Sequence, residues 1–286
     1  MLVTLNDVMK TAEEKKVAIG SFNTPNLEAL QAVTEAAEEL GFPVILQFAQ
    51  CHEALTPLDL IGPLMVGAAK KASVPVCVHL DHGETLGYLK KALELGFTSI
   101  MYDGSNLDFE ENLTNTKEAV RMASEKGASV EAELGSMGRR EGGGGEYVAD
   151  ESKVYTDPEQ AAIFVKESGI DALACSFGTT HGIYLAEPKL DLGMVRGVRS
   201  RTGNIPVVMH GGSGISKEDY RKAIEAGVRK INYFTYMDKA GGNALAAYIS
   251  ALKPEEPVFF SSIAEVARKA MKENVKSAMK MFALEQ

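Results

Sequence analysis

His82 in Leu80-Asp81-His82-Gly83, His181 in Gly178-Thr179-Thr180-His181-Gly182 and His210 in Met209-His210-Gly211-Gly212-Ser213-Gly214 each stand where a β-branched, apolar run gives way to glycine. The chain has only 5 histidines, so three in one local setting call for a common cause. Three imidazoles at strand ends match a catalytic zinc, which takes three protein side chains and keeps a fourth position open. Singly, each is more simply a hydrogen-bonded core or loop residue; as a set they read as metal ligands. His79 sits within a strand two residues before Asp81 and reads as a satisfied interior histidine.

Elements that could bring these residues together alternate along the whole chain. Eight short runs read as strands: Val17–Phe22, Pro43–Phe48, Val74–Leu80, Ser99–Tyr102, Ser129–Leu134, Ala172–Ser176, Ile205–Met209 and Lys230–Phe234. Between them, stretches such as Asn26–Leu40, Thr85–Leu95, Phe109–Lys126, Pro158–Ser168, Leu190–Arg201 and Ser216–Ala226 carry apolar residues at helical spacing. Gly41, Gly96 and Gly227 follow such stretches in similar phrases and read as left-handed helix stops. The pattern predicts a (β/α)8 TIM barrel, with an added helix from about Asn6 and a further C-terminal helix over 261–283. A doubly wound sheet is the alternative. In a barrel, the C-terminal strand ends form one rim, which would gather His52, Asp81, His82, Asp103, Glu133, His181, His210 and Asn232.

Composition bounds what the rim can serve. The chain has 286 residues, 45% hydrophobic and 24% charged, and no linker-like segment divides it, so 1–286 reads as one domain. The first 18 residues carry Asp7, Glu13, Glu14 and three lysines, and no apolar run is long enough for a span, which predicts a cytoplasmic protein without a membrane partner. A net charge of -9 argues against nucleic acid. Cys51, Cys77 and Cys175 lack metal-site or disulfide spacing, and the last two read as reduced core residues.

Seven motifs in order resemble the class II, zinc-dependent ketose-bisphosphate aldolases, the fructose- and tagatose-bisphosphate aldolase family. They are Gly20-Ser21-Phe22-Asn23, Leu80-Asp81-His82-Gly83, Tyr102-Asp103-Gly104-Ser105, Glu131-Ala132-Glu133-Leu134-Gly135, Gly178-Thr179-Thr180-His181-Gly182, His210-Gly211-Gly212-Ser213-Gly214 and Ile231-Asn232. The resemblance implies aldol cleavage of a ketose phosphate into dihydroxyacetone phosphate and an aldehyde. Zinc on His82, His181 and His210 would act as a Lewis acid toward the enediolate of the dihydroxyacetone phosphate half. Asp103 and Glu133 match positions that offer the metal a second, resting site, or they orient ligands. Asp81 would move the proton on the aldehyde-derived oxygen; its alternative is to orient a histidine ligand.

A second base is implied on a loop reading Gly138-Arg139-Arg140-Glu141-Gly142-Gly143-Gly144-Gly145-Glu146, whose four consecutive glycines suit a lid. Glu141 aligns with the family's loop glutamate and Glu146 is the reserve; a surface loop without a catalytic part is the alternative. A phosphate would sit on backbone N–H groups of Gly211, Gly212 and Ser213 at a strand-to-helix turn, completed by Asn232, Tyr233 and Thr235. By resemblance Gly182 would approach the phosphate, Asn23 and Gln47 the dihydroxyacetone moiety, and a monovalent cation is a candidate neighbour of the phosphate. The family also implies a homodimer or homotetramer.

Departures from the pattern fall on the aldehyde side. Where bisphosphate-cleaving relatives place a serine late in the second strand and an arginine in Asp-Pro-Arg before the last helix, this chain has Ala49 and Val258. It offers Gln50, His52 and Glu53 nearby, and Arg139 and Arg140 on the loop. Either the loop arginines take the second phosphate, or the aldehyde carries none and His52 and Glu53 bond its hydroxyls; we favour the second, with a surface or capping role the equal alternative for His52 and Glu53. Competing functions are a metal-dependent ketose-phosphate epimerase or isomerase, and a non-catalytic barrel subunit.

Overall fold

The computed structural model describes residues 1–135, 155–184 and 186–285, which puts Arg139, Arg140, Glu141 and Glu146 outside the described residues. Eight parallel strands pair in sequence and close: β2 (Ile19–Asn23), β3 (Val44–Ala49), β4 (Val76–Gly83), β5 (Ser99–Tyr102), β6 (Ser129–Leu134), β7 (Ala172–Cys175), β8 (Val207–Met209) and β9 (Val228–Tyr233). β9 pairs with β2 and so completes the ring, giving the (β/α)8 barrel that the alternation predicts. A two-residue strand, β1 (Leu2–Val3), was not anticipated. It pairs with β4 at Val76 and Cys77, below the level at which β5 joins β4 at His79, and fills the gap left by the short β5.

Every residue of these eight strands is buried, because the barrel interior covers one face and helices the other. Outward-facing Val, Leu, Ile and Phe form one large core with the helices. Inward-facing Ile19, Ile45, Cys77, Met101, Ala172, Ala174 and Val208 pack on Leu5, Val8, Met9 and Ala12 of α1 (Leu5–Lys15). That helix plugs the floor of the barrel. Thr4 and Asp7 form a capping box at its start.

Gly41, Gly96 and Gly227 all have positive φ at helix ends, as their phrases predict. Gly41 caps α2 (Leu27–Leu40), Gly96 lies one residue beyond the Leu95 cap of α4 (Leu86–Glu94), and Gly227 caps α8 (Lys217–Ala226). Two helices absent from the sequence reading are α3 (Leu58–Lys71) and α9 (Thr235–Ala251). The first buries Leu58, Ile61, Met65, Val66 and Ala69 at helical spacing, but exposed Leu60 and Leu64 and an internal Pro63 blur that stripe in the sequence; the second is rich in alanine and glycine and buries only Met237 and Gly241. Among the described residues the remaining α-helices are α5 (Phe109–Ser124), α6 (Pro158–Ser168), α7 (Leu192–Arg201) and α10 (Phe260–Phe282). The last buries Met271, Val275, Ala278, Met279 and Phe282 against the barrel side and pairs Lys272 and Lys276 with Glu39 of α2 at 2.7 and 3.0 Å. No described helix is long and apolar enough to cross a membrane.

The site-bearing strand departs most from expectation. β4 runs three residues past Leu80, and its register with β5 shifts between Leu80 and Gly83. Regular alternation would point Asp81 and His82 to opposite faces. His82 instead has φ 46°, in the left-handed region, and the irregularity directs both side chains to the site. Likewise β9 starts at Val228, two residues earlier than expected, because the chain turns at Gly227 with φ 122°.

Candidate active site

Above the plugged floor lies a layer of buried charge. Glu131 of β6 meets Lys230 of β9 at 2.9 Å, and its other carboxylate oxygen accepts from His210 Nε2 at 2.9 Å. His79 stands beside them, with Nδ1 2.8 Å from Ser99 Oγ and Nε2 3.4 Å from Lys230 Nζ, which fits the interior role expected of it. Burial and the lysine together push the His79 imidazole down to about 3, so it is neutral. Burial alone would raise Glu131, but Lys230 and His210 outweigh it and hold the carboxylate down to about 2.

The three histidines converge on this layer. His82 Nε2 lies 3.0 Å from His210 Nδ1 and 3.2 Å from His181 Nε2. Each contact joins two atoms that would be nitrogen donors to a metal. His82 Nδ1 is 2.7 Å from Asp103 Oδ2, and Asp103 Oδ1 accepts from the Ser105 hydroxyl at 2.6 Å. With Nδ1–H of His82 given to Asp103 and Nε2–H of His210 given to Glu131, the opposite ring nitrogens keep lone pairs for a cation. Their separations approach the ~3.3 Å edge of a tetrahedron built on metal–nitrogen bonds of about 2.0 Å. The donor set therefore fits zinc. His82, Asp103 and Glu133 form a second group with converging ligand atoms, sharing His82 with the first.

Without a cation, mutual charge governs the site. Burial works against protonating His82, but Asp81, Asp103 and Glu133 raise its imidazole to about 10. Burial would raise the Asp81 carboxyl; His82, His210 and Lys230 more than reverse this and hold it ionised, well below the usual carboxylate range. Asn232 Nδ2 donates to Asp81 Oδ1 at 3.1 Å and fixes the carboxylate at the edge of the histidine cluster.

Beside the cluster opens a narrow cleft. Asn23, Gln47, Asp81, His181, Gly182, Gly211, Gly212, Ser213, Asn232, Tyr233 and Thr235 all line it, together with Phe234. Gln47 Nε2 donates to Asn23 Oδ1 at 2.6 Å, and Ser21 donates to Gln47 Oε1, so the two amides are held as a unit. Ser213 Oγ accepts from Phe234 N at 3.1 Å, and Gly212 N donates to Asn232 O at 3.0 Å, joining the glycine turn after β8 to the end of β9. α9 starts at Thr235 with no side chain capping it, so its N-terminus faces the cleft as an electropositive end. A Cβ on Gly212 would lie 2.6 Å from Asn232 O, so only glycine allows this approach. No lysine or arginine among the described residues lines the cleft.

The acceptor-side residues divide. Ala49 is buried in β3 and pairs in register with Asp81. His52 is buried with its ring 4.9 Å from that of Phe234 and 6.2 Å from that of Phe48, one side chain behind the cleft. Glu53 is placed differently from the hydroxyl-binding role expected of it: its carboxylate accepts from Leu58 N at 2.9 Å, receives the Tyr88 hydroxyl and lies 3.6 Å from Lys91. That is a capping role at the start of α3. Val258 is exposed before α10. Glu131, Lys230 and Phe234 were missed in the sequence, although Glu131 and Lys230 each lie two residues before an inward-facing site residue and so share its face.

The model of the family described as class-II fructose-bisphosphate aldolase matches residues 3–286. A protein of Escherichia coli K12 named YdjI and described as uncharacterized is 39% identical over 285 residues, 99% of this chain and 98% of its own length. A fructose-bisphosphate aldolase of Staphylococcus aureus Mu50 is 38% identical, covering 98% of this chain and 97% of its own. The crystal structure of the YdjI aldolase superposes with a TM-score of 0.86 at 38% identity, covering 99% of this chain and 97% of that one.

Proposed function

The chain belongs to the class-II fructose-bisphosphate aldolase family of carbon–carbon lyases, and from that premise we propose that it cleaves and forms a ketose 1-phosphate, with dihydroxyacetone phosphate and an aldehyde as partners and zinc on His82, His181 and His210. The observation that carries this reading is the meeting, at one rim, of three converging imidazole nitrogens, the fixed carboxylate of Asp81 and, beside them, a glycine-lined cleft. When bound, zinc supplies Lewis-acid polarisation of the ketose carbonyl.

Asp81 is kept ionised by its surroundings, so it takes the proton of the hydroxyl next to the scissile bond and returns it in condensation. Asn232 holds the carboxylate in place for that transfer. Gly182, Gly211 and Ser213, with Tyr233 at the end of β9 and Thr235 at the start of α9, bind the 1-phosphate through backbone donors, while Gly212, whose N–H is given to Asn232 O, lines the cradle without a donor of its own. Asn23 and Gln47 orient the dihydroxyacetone portion. Glu141 moves the proton on its carbon. Asp103 holds His82, and Asp103 and Glu133 with His82 would offer a cation a second, resting position.

For the aldehyde half we favour an unphosphorylated compound. Ala49 offers no hydroxyl beside Asp81, and the described lining of the cleft offers no cationic side chain. With Glu53 engaged at α3, His52, behind Phe234, is the remaining hydroxyl-binding candidate on this side, and Arg139 and Arg140 would serve as anchors only for a phosphorylated aldehyde. A monovalent cation beside the phosphate, a cytoplasmic location and a homodimer or homotetramer complete the reading. Ile249, Val258, Phe259 and Phe260, exposed at the α9–α10 connection, support self-association.

The test is cleavage of fructose 1-phosphate, fructose 1,6-bisphosphate and tagatose 1,6-bisphosphate, plus condensation of dihydroxyacetone phosphate with unphosphorylated aldehydes. We expect chelator-sensitive turnover that prefers the unphosphorylated acceptor. Ordinary efficiency on a bisphosphate would overturn the acceptor assignment. A stereochemical change without triose product would identify an epimerase and overturn the aldol reading.

A further inference from the structure

His181 and Gly182 sit on a connection between β7 and α7 that has no helix or strand of its own around them. The base of this connection is cinched: Asp191 N donates to Phe177 O at 2.8 Å, and a Cβ on Gly178 would lie 2.1 Å from Lys189 O. Its inner part leans on the glycine turn after β8, where Gly211 has φ 62° and a Cβ there would lie 2.3 Å from Thr180 O. Backbone thus meets backbone between the segment carrying one metal-ligand candidate and the segment forming the anion cradle. Tyr184 spans that junction. Its hydroxyl accepts from Thr180 N at 3.0 Å and donates to Gly211 O at 2.8 Å. One side-chain oxygen satisfies a peptide group on each segment, and its ring packs against the main core.

We infer that Tyr184 is a positioning residue that locks the His181 segment to the Gly211 turn, so that the metal and phosphate half-sites hold a fixed spacing. This rests on the proposed aldolase reading, in which a single ligand, dihydroxyacetone phosphate, must engage both half-sites. Tyr184 touches no reacting atom; it acts through the two backbone segments it joins. Each half-site keeps its own donors without the hydroxyl, so the cost falls on ligands that reach across both, which lose the preorganised spacing.

The test compares unaltered protein with Tyr184→Phe, which retains the ring and its packing. Calorimetry would measure dissociation constants for dihydroxyacetone phosphate and for inorganic phosphate on the zinc-loaded protein, and chelator competition would measure the constant for zinc. We expect dihydroxyacetone phosphate to bind about 10-fold more weakly to Tyr184→Phe, with zinc and inorganic phosphate each changed less than about 3-fold. Unchanged binding of dihydroxyacetone phosphate would overturn the inference, as would an equal loss for all three ligands, which would mark a general structural prop. If the unaltered zinc-loaded protein bound no dihydroxyacetone phosphate, the aldolase reading would fall and this inference with it.

Discussion

At the scale of residues, charge decides the state of the site before any cation arrives. His82, surrounded by Asp81, Asp103 and Glu133, is an imidazolium up to about pH 10 in the metal-free protein, whereas a metal ligand must be neutral. Zinc uptake must therefore expel that proton. Apparent zinc affinity should rise with pH from about 6.5 toward 10, by up to about tenfold per unit, with about one proton released per zinc near neutrality. The same raised value stabilises the metal-free fold fully below the unfolded histidine pKa, and that contribution is lost as pH rises through the folded value. Zinc titrations in buffers of different ionisation enthalpy read the proton count; affinity independent of pH would show His82 already neutral. The histidine trio, Asp81 and the anion-cradle residues were legible as types at strand ends. Glu131 and Lys230 were not, since a buried ion pair looks like ordinary charge until the barrel closes around it.

Among the elements, floor and rim are separate structures joined by the charged layer between them. Met9 of α1 is buried in the floor cluster with Ile45 and Val208, while His79, Glu131 and Lys230 lie between that cluster and the rim. Met9→Ala should cost about 2–5 kcal/mol of stability in urea unfolding and leave activity at 25 °C nearly unchanged. A proportionate loss of activity in the still-folded variant would show that the floor sets the rim geometry. Strands and the capped helices were readable because period and stop signals coincide in them. α3 and α9 escaped notice because proline and small residues blur the apolar stripe. The irregularity in β4 was also hidden: no local signal in Leu80-Asp81-His82-Gly83 announces that two consecutive side chains will face the same site, and only pairing with β5 imposes it.

For the whole molecule, barrel closure turns dispersed motifs into a site: residues as far apart in sequence as Asn23 and Asn232 line one cleft because β2 and β9 are neighbours. On the proposed reading, chemistry at the rim would be set by the cation that the histidines hold and by what the cleft beside them admits. Titrating metal-free protein with zinc, while following bound metal and aldol cleavage together, tests this account most directly. It predicts activity rising in proportion to bound zinc and reaching its plateau at one zinc per chain, with His210→Ala failing on both readouts. Full cleavage activity in rigorously metal-free protein, or stoichiometric zinc bound equally well by His210→Ala, would contradict it.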